Sequence, residues 1–365
     1  MKFTVSVKPL KTALSLAVVN KNINKNIQKS MVIQIRATDK RLILNTEAAA
    51  IKTEVSVYGT GDGDAAIIVD ALMLKNLIST IDSNQITLDF DNPNFVSVVN
   101  GSSFYRIAKV LDTSMASLST PMAVSGDGKE VNKADWQFIA AHQMFALPHD
   151  TTAYPVYNNV WVGENGDVIS GDMTQSIFAH SGKSNLGAKY LLSDSIINLL
   201  CSVPDGSKIA KGDDDAYSIS YESDSIKYLA EFKPAVEGAS SGDYKSGTIL
   251  PLLSVANSPY AEIGISDIGK VLSQLKIVSA GDTKVRMTVS SDSVSFSGNS
   301  INTSIPAEGN LTDVAEGNFK ISLLSSIISA LPGTSVKLSK AMNRDKNVGL
   351  VFSSDDLTIV CAWCK

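Results

Sequence analysis

Residues 319–336 read FKISLLSSIISALPGTSV, and their pattern sets the plan of the whole chain. Leu323, Leu324, Ile327, Ile328 and Leu331 recur at the spacing that gathers apolar side chains on one face of a helix. Pro332-Gly333 stops that helix, because proline cannot continue the hydrogen-bond ladder and glycine tolerates the turn. A strand-like run follows at 335–338. The same unit occurs twice more. Residues 190–209, YLLSDSIINLLCSVPDGSKI, place Leu199, Leu200 and Val203 where Ile327, Ile328 and Leu331 stand. Residues 70–88, DALMLKNLISTIDSNQITL, place Leu77, Ile78 and Ile81 there. Leu77 and Leu199 are 122 positions apart, and Leu199 and Ile327 are 128 apart. A period that large means tandem domains rather than a short-repeat solenoid.

Two further landmarks keep the period. The turn residues Asp39, Asn165 and Asp292 lie 126 and 127 positions apart, and the first-helix residues Leu14, Ala140 and Leu272 lie 126 and 132 apart. The expected organisation is three units at 1–120, 128–245 and 248–365. Connections rich in Ser, Thr, Pro and Gly, at 111–128 and 238–247, join them. Each unit is expected to be α+β, with two amphipathic helices on antiparallel sheet built from short alternating strands. Asp70 is placed to cap the second helix of the first unit. In the middle unit, Asp135 is read as the cap of a helix carrying Trp136, Ile139, Ala140 and Met144, and 168–179 as one returning strand. In the last unit, a helix over 265–275 turns Ile268, Val271, Leu272 and Leu275 inward.

Composition narrows the function. Hydrophobic residues make up 44% of the 365 and charged residues 19%, so a packed core is expected and general disorder is not. Three cysteines cannot build a disulfide framework, which fits a reducing cytoplasm. His142, His149 and His180 are too few and too scattered for a metal centre, and no cofactor is expected. Lys8, Pro9 and Lys11 interrupt the apolar stretch after Lys2, so a secretory signal is not expected, and no run reaches membrane-spanning length.

No constellation points to an enzyme. Cys361-Ala362-Trp363-Cys364 has C-x-x-C spacing, but it closes a strand pattern and lacks the helix N-terminus that would stabilise a thiolate. The loop from Gly59 to Asp64 lacks both the Lys-Ser/Thr ending of a phosphate loop and the downstream Glu of a calcium loop. No serine sits on a strand–turn–helix elbow beside a usable histidine.

The formal net charge is −5, which by itself argues against nucleic acid. Its distribution argues differently. Lys8, Lys11, Lys75, Lys270, Lys276 and Lys320 lie on or beside helices, where acid is confined to Asp194, Asp267 and the capping Asp70 and Asp135. Acid collects in turns instead, as at Asp62, Asp64, Asp89 and Asp91. Solvation of helix faces accounts for each lysine singly. Taken together, six helices facing one polyanion also fit, through phosphate contacts that need no sequence code. Few helix arginines are present, so base-specific readout is not indicated.

With three two-helix units spanning the chain, the opening Met1-Lys2-Phe3-Thr4-Val5, and Gly242-Asp243-Tyr244 ahead of Ile249-Leu250-Pro251, the sequence resembles the bacterial-type sliding clamps, the β subunits of replicative DNA polymerase. The resemblance implies a head-to-tail homodimer closed into a ring around duplex DNA. It implies a replicative DNA polymerase and a clamp loader as partners, no membrane, and a cytoplasmic location. It implies that the strand at 104–110 pairs with one near 303–306 of a second copy, with Tyr105 and Ile107 against Ile277 and Val278. DNA contacts would come from Lys21, Lys25 and Lys29 after the first helix and from Tyr154 and Tyr157. A partner-peptide groove would use Asp172, Met173, Thr174 and Ile177, the connector residues Ser246 and Gly247, and the terminal Val360, Cys361, Ala362, Trp363 and Cys364.

The sequence departs from the family at that groove. Gly171-Asp172-Met173-Thr174-Gln175-Ser176-Ile177 stands where a Thr-Asp-Gly-His-Arg-Leu run is usual, and Ala362-Trp363-Cys364-Lys365 stands where Met-Pro-Met-Arg is usual. Such divergence would suit a phage-encoded member. The expected function is a non-catalytic processivity factor. A structural repeat protein of a viral or surface assembly is the alternative, supported by the sparse basic charge.

Overall fold

The computed structural model describes residues 1–18, 31–48, 51–110, 121, 128–148, 154–184, 186, 190–212, 215–236, 244–253, 258–278, 283–298, 301–343 and 346–364. The first third runs β1 (Lys2–Ser6), α1 (Val7–Ala17), β2 (Val32–Ala37), β3 (Arg41–Ala48), β4 (Ile51–Gly61), β5 (Ala65–Asp70), α2 (Ala71–Ser79), β6 (Gln85–Asp89), β7 (Phe95–Asn100) and β8 (Ser103–Ala108). The middle third runs β9 (Lys129–Glu130), α3 (Lys133–His142), β10 (Val160–Val162), β11 (Val168–Asp172), β12 (Ile177–Ser181), β13 (Tyr190–Leu192), α4 (Asp194–Ser202), β14 (Lys208–Lys211), β15 (Tyr217–Glu222), β16 (Ile226–Phe232) and β17 (Ala235–Val236). The last third runs α5 (Ser246–Leu253), β18 (Ala261–Gly264), α6 (Ile265–Val278), β19 (Lys284–Val289), β20 (Ser293–Gly298), β21 (Ile301–Pro306), β22 (Glu308–Gly309), β23 (Ala315–Lys320), α7 (Ile321–Ala330), β24 (Ser335–Asn343), β25 (Lys346–Ser354) and β26 (Leu357–Ala362).

These elements gather into two compact units, 1–133 with 195–234, and 134–194 with 235–365. The middle third therefore divides. Its strands β14 to β16 pack with the first third, and β10 to β13 with the last.

In the first unit a 12-stranded sheet runs β8-β7-β6-β1-β4-β16-β15-β14-β9, with β3 on the other side of β4 and β2 joining β3 to β5. The join between thirds is antiparallel, from Ile51 opposite Phe232 to Val57 opposite Ile226. Helix α1 rests on this sheet with Leu10, Ala13, Leu14 and Ala17 buried. Its C-terminal carbonyls would otherwise be unsatisfied. The buried Thr46 hydroxyl donates to the Ala17 carbonyl at 2.7 Å, and Lys75 Nζ from α2 donates to the Val18 carbonyl at 3.0 Å. As expected, Asp70 caps α2, its Oδ1 accepting from the Met73 N–H at 2.7 Å.

In the second unit a 10-stranded sheet runs β17-β13-β10-β11-β12-β26-β25-β24-β18-β22, and a four-stranded sheet runs β21-β20-β19-β23. Helix α7 is the helix read from residues 319–336. Ile321, Leu324, Ile327 and Ile328 are its buried face, and Gly333 takes the left-handed φ of 80° that its terminating turn requires.

Three expectations are corrected. Helix α3 starts at Lys133, so Asp135 lies within its first turn, and Met144 falls in a separate 3₁₀ turn, Met144–Ala146. Residues 168–179 are not one strand but the hairpin β11–β12. The connection read at 238–247 ends early, because Ser246 already opens α5. Among the described residues, no helix is long and apolar enough to cross a membrane, and no group of three or more His, Cys, Asp or Glu could hold a metal ion.

Candidate functional site

The β11–β12 turn is built by one carboxylate. Asp172 is 2% exposed, and its Oδ1 accepts from the Thr174 N–H at 2.8 Å and the Thr174 hydroxyl at 2.6 Å. Its Oδ2 accepts from Gln175 Nε2 at 2.8 Å. An aspartate that bonds the backbone two residues on is a turn-former, which is why the expected single strand breaks here. Ser176 completes the turn at a left-handed φ of 50°, and its carbonyl accepts from the Ala362 N–H at 3.0 Å. Burial alone would raise the Asp172 pKa, but the bonds from Thr174 and Gln175 outweigh it and hold the carboxyl below its ordinary 3.8. A depressed folded pKa gives stability that is present above the unfolded value and is lost as pH falls through the folded one. The turn should therefore hold at neutrality and loosen below about pH 3.8. Asp172→Asn should destabilise the protein by about 1–3 kcal/mol at pH 7 and flatten the acid limb of the melting-temperature profile. An unchanged acid limb would contradict this role.

Strand parity decides what faces the groove beside this turn. β12 pairs with β26, Ile177 opposite Cys361 and Phe178 opposite Val360. Successive side chains point to opposite faces. Ile177, Ala179, Ile359 and Cys361 enter the core shared with α6 and α7, whereas Phe178 and Val360 join Tyr157, Trp161, Ile169, Tyr244, Ile249 and Leu253 on the other face. Ile177 and Cys361, expected in the groove, are thus core residues of the opposite side.

The groove has two lobes. A smaller cavity of about 180 Å³ is lined by Met173, Phe178, Ile249, Leu252 and Val360 among others, with Lys245 and Thr248. A larger one of about 730 Å³ is lined by Thr174, Gln175, Lys284, Lys320, Leu323, Trp363 and Cys364. Ser176, Val348 and Ala362 line both, so they form the saddle between them. Helix α5 supplies one wall through Thr248, Ile249 and Leu252, not through the expected Ser246 and Gly247, which open the helix.

Trp363 is a wall of the larger lobe. Its ring lies over Gly317, where an added Cβ would come within 2.0 Å of it, and 5.0 Å from the Phe319 ring centroid. The Trp363 N–H donates to the Val348 carbonyl at 3.1 Å and the Cys364 N–H to the Asn318 carbonyl at 2.8 Å, so the tail is laid across two sheets. Burial pushes the Cys361 thiol well up, the opposite of what a redox thiolate needs.

Tyr157, expected to touch DNA, is 2% exposed. Its ring lies 4.5 Å from that of Tyr244, and its hydroxyl accepts from the Lys245 N–H at 3.2 Å. It supports the base of α5 instead. Tyr154 is 49% exposed. Lys21, Lys25 and Lys29 lie outside the described residues.

Two sheet ends carry exposed apolar side chains. In the first unit β8 ends its sheet, with Phe104 and Tyr105 60% and 43% exposed, while Ile107 is already buried by its own unit. In the second, β21 ends the four-stranded sheet. There α6 finishes with Ile277 84% and Val278 65% exposed. Unpaired edges of this kind are templates for another chain.

No protein-family model matches the sequence, and no curated protein matches it. Solved structures do match. The DNA polymerase III beta subunit of Thermotoga maritima superposes over 100% of this chain and 99% of its own, with a TM-score of 0.78 at 13% identity. The DNA polymerase sliding clamp of Bacillus subtilis covers 100% and 99%, with 0.76 at 13%. The DNA polymerase III subunit beta of Pseudomonas aeruginosa covers 100% of both chains, with 0.73 at 14%.

The chain has the sliding-clamp fold. These structures lend no support to a phage source. Several helix hydroxyls bond back to their own helices. Ser325 donates to the Ile321 carbonyl at 2.8 Å, Ser326 to Ser322 at 3.1 Å, Ser273 to Gly269 at 2.8 Å and Thr12 to Lys8 at 3.2 Å. Such i−4 back-bonds commit the hydroxyl protons to the helix's own carbonyls. Of the helix lysines, Lys11 approaches Asp82 at 3.9 Å and Lys270 pairs with Asp267 at 3.3 Å.

The residues that sequence reasoning missed are Phe178, Ile249, Leu252, Val348, Lys245, Lys284 and Lys320. The alternation along 177–181 could have revealed Phe178. Lys284 and Lys320 carry no local signal, because strands distant in sequence, β19 and β23, bring them to the groove, and Lys245 enters it just ahead of α5.

Proposed function

We propose that the chain is a processivity factor. Two copies close head to tail around duplex DNA, each contributing three clamp-type domains at 1–120, 128–245 and 248–365, and the groove tethers a replicative polymerase by a linear peptide. The full-length correspondence with the sliding-clamp fold carries this reading. The two apolar sheet ends, one in each unit, support closure by strand addition between copies. Helix hydroxyls such as Ser325 and Ser273, bonded to their own helix carbonyls, and Lys11 and Lys270, each beside an aspartate, suit a surface that slides over phosphates without gripping them. Tethering raises the local polymerase concentration, so each contact can remain weak. A clamp loader and a cytoplasmic location belong to the same reading. Light scattering at micromolar concentration tests the first step. Twice the chain mass of 38.8 kDa is expected, and a persistent monomer would count against ring closure.

A further inference from the structure

We infer that the join between two copies is held by apolar burial and by hydrogen bonds to uncharged groups, Arg106 of one copy donating to Asn302 and Ser304 of the other, so that association is insensitive to salt. This rests on the head-to-tail reading. Side chains on β8 alternate. Tyr105 and Ile107 stand opposite the buried Val98 and Val96, whereas Arg106 stands opposite Ser97 on the solvent face. β21 alternates in the same way. Thr303 and Ile305 stand opposite the buried Phe296 and Val294, whereas Asn302 and Ser304 stand opposite Ser297 and Ser295 and are exposed. Strand addition makes one continuous sheet, whose solvent face runs on from one copy to the next. Tyr105 and Ile107 then share a side with Thr303 and Ile305, where α6 packs, and Arg106 shares the other with Asn302 and Ser304.

The chemistry of the two strands decides how they hold. β21 reads Ile301-Asn302-Thr303-Ser304-Ile305-Pro306 and carries no charge. β8 reads Ser103-Phe104-Tyr105-Arg106-Ile107-Ala108 and carries one. That guanidinium is already placed. It lies 4.8 Å from the centre of the Phe95 ring and 5.2 Å from that of Phe104. Contact with two rings steadies the long side chain before association, so less rotamer freedom is lost when it docks. β21 offers it the Asn302 amide oxygen as an acceptor, and the Ser304 hydroxyl, which accepts from Ser295 at 3.1 Å, keeps a second lone pair. Salt screens a hydrogen bond to an uncharged acceptor far less than it screens an exposed ion pair. A single nucleic-acid strand could stack on the exposed Phe104, but it would leave the edge N–H and C=O groups of β8 unpaired. A strand of a second copy meets both needs, which is why it is favoured.

The test is sedimentation equilibrium of the full chain in a salt series from about 0.05 to about 0.5 M. The dimer dissociation constant should change by less than about threefold across the series. Arg106→Met should raise it about fivefold, and equally at every salt concentration. Arg106→Lys should raise it by a similar factor, because an ammonium keeps the charge but loses the planar fork and the ring stacking. Arg106 is exposed, so both variants should melt close to the parent, which separates weaker association from loss of fold. A dissociation constant that climbs about tenfold or more with salt, or an Arg106→Met effect confined to low salt, would reveal an ion pair with the second copy. Either result would overturn the inference and leave the dimer standing. Dimerisation of Arg106→Met as tight as that of the parent would also overturn it. A parent that stays monomeric at every salt concentration would overturn the head-to-tail reading itself. Binding of a single-stranded oligonucleotide that Arg106→Met abolishes, with dimerisation unchanged, would assign the stacked arginine to nucleic acid instead.

Discussion

Gly317→Ala is expected to lower stability by about 2 kcal/mol and to expel Trp363 from its seat. Two effects compete. Alanine in a strand gains roughly 0.5–1 kcal/mol over glycine through lost unfolded-state freedom. Against this, the new Cβ would sit 2.0 and 2.1 Å from two ring carbons of Trp363, far inside van der Waals contact. The indole is rigid, and its backbone is pinned on both sides by the bonds from Trp363 to Val348 and from Cys364 to Asn318. Relief therefore requires either a shift of β23 or loss of the packing on Phe319, and such overpacking typically costs about 1–3 kcal/mol. Trp136 and Trp161 are 1% and 3% exposed, so their emission should stay blue while that of Trp363 moves red. The larger lobe should lose a wall with it, weakening peptide capture. Unchanged emission and melting would show that Trp363 does not occupy this position.

Ile277→Asp with Val278→Asp is expected to convert a dimer to monomers without unfolding the chain. Both side chains are exposed at the end of α6, so little packing is lost in the single chain, and surface changes of this kind usually fall within about 0.5 kcal/mol. In the proposed dimer they would be covered. Each then forfeits roughly 1.5–3 kcal/mol of apolar burial, and the new carboxylates must also be desolvated. A rise in the dimer dissociation constant of about a hundredfold or more follows. Phe104→Asp on β8 should act the same way, whereas the buried Ile107 should report on folding rather than association. Sedimentation of the parent and the variants reads the difference. Dimerisation that survives these changes would place the interface elsewhere.

The repeat was legible because it rests on local physics. An amphipathic helix closed by Pro332-Gly333 announces itself within one stretch of sequence, and so do its relatives near Leu77 and Leu199. What failed did so for identifiable reasons. The 168–179 segment reads as one strand because its apolar ends hide the Asp172 turn, although an aspartate able to bond the backbone two residues on was present. Ile177 and Cys361 were assigned to the groove, but neighbours on a strand face opposite ways, so Phe178 and Val360 hold those places. Tyr157 is expected at the DNA from the resemblance, yet tertiary packing against Tyr244 buries it. Lys284 and Lys320 were invisible as a pair, since only the β19–β23 register makes them opposites.

Retention on circular against linear DNA separates a topological ring from a protein that binds by contact. The chain would be loaded onto a nicked circular plasmid, separated from free protein by gel filtration, and the plasmid then cut once. A closed ring stays with the circle through the column and leaves within minutes of cutting, because a ring held by topology slides off an end. Equal retention before and after the cut would show binding by contact alone and rule out a ring.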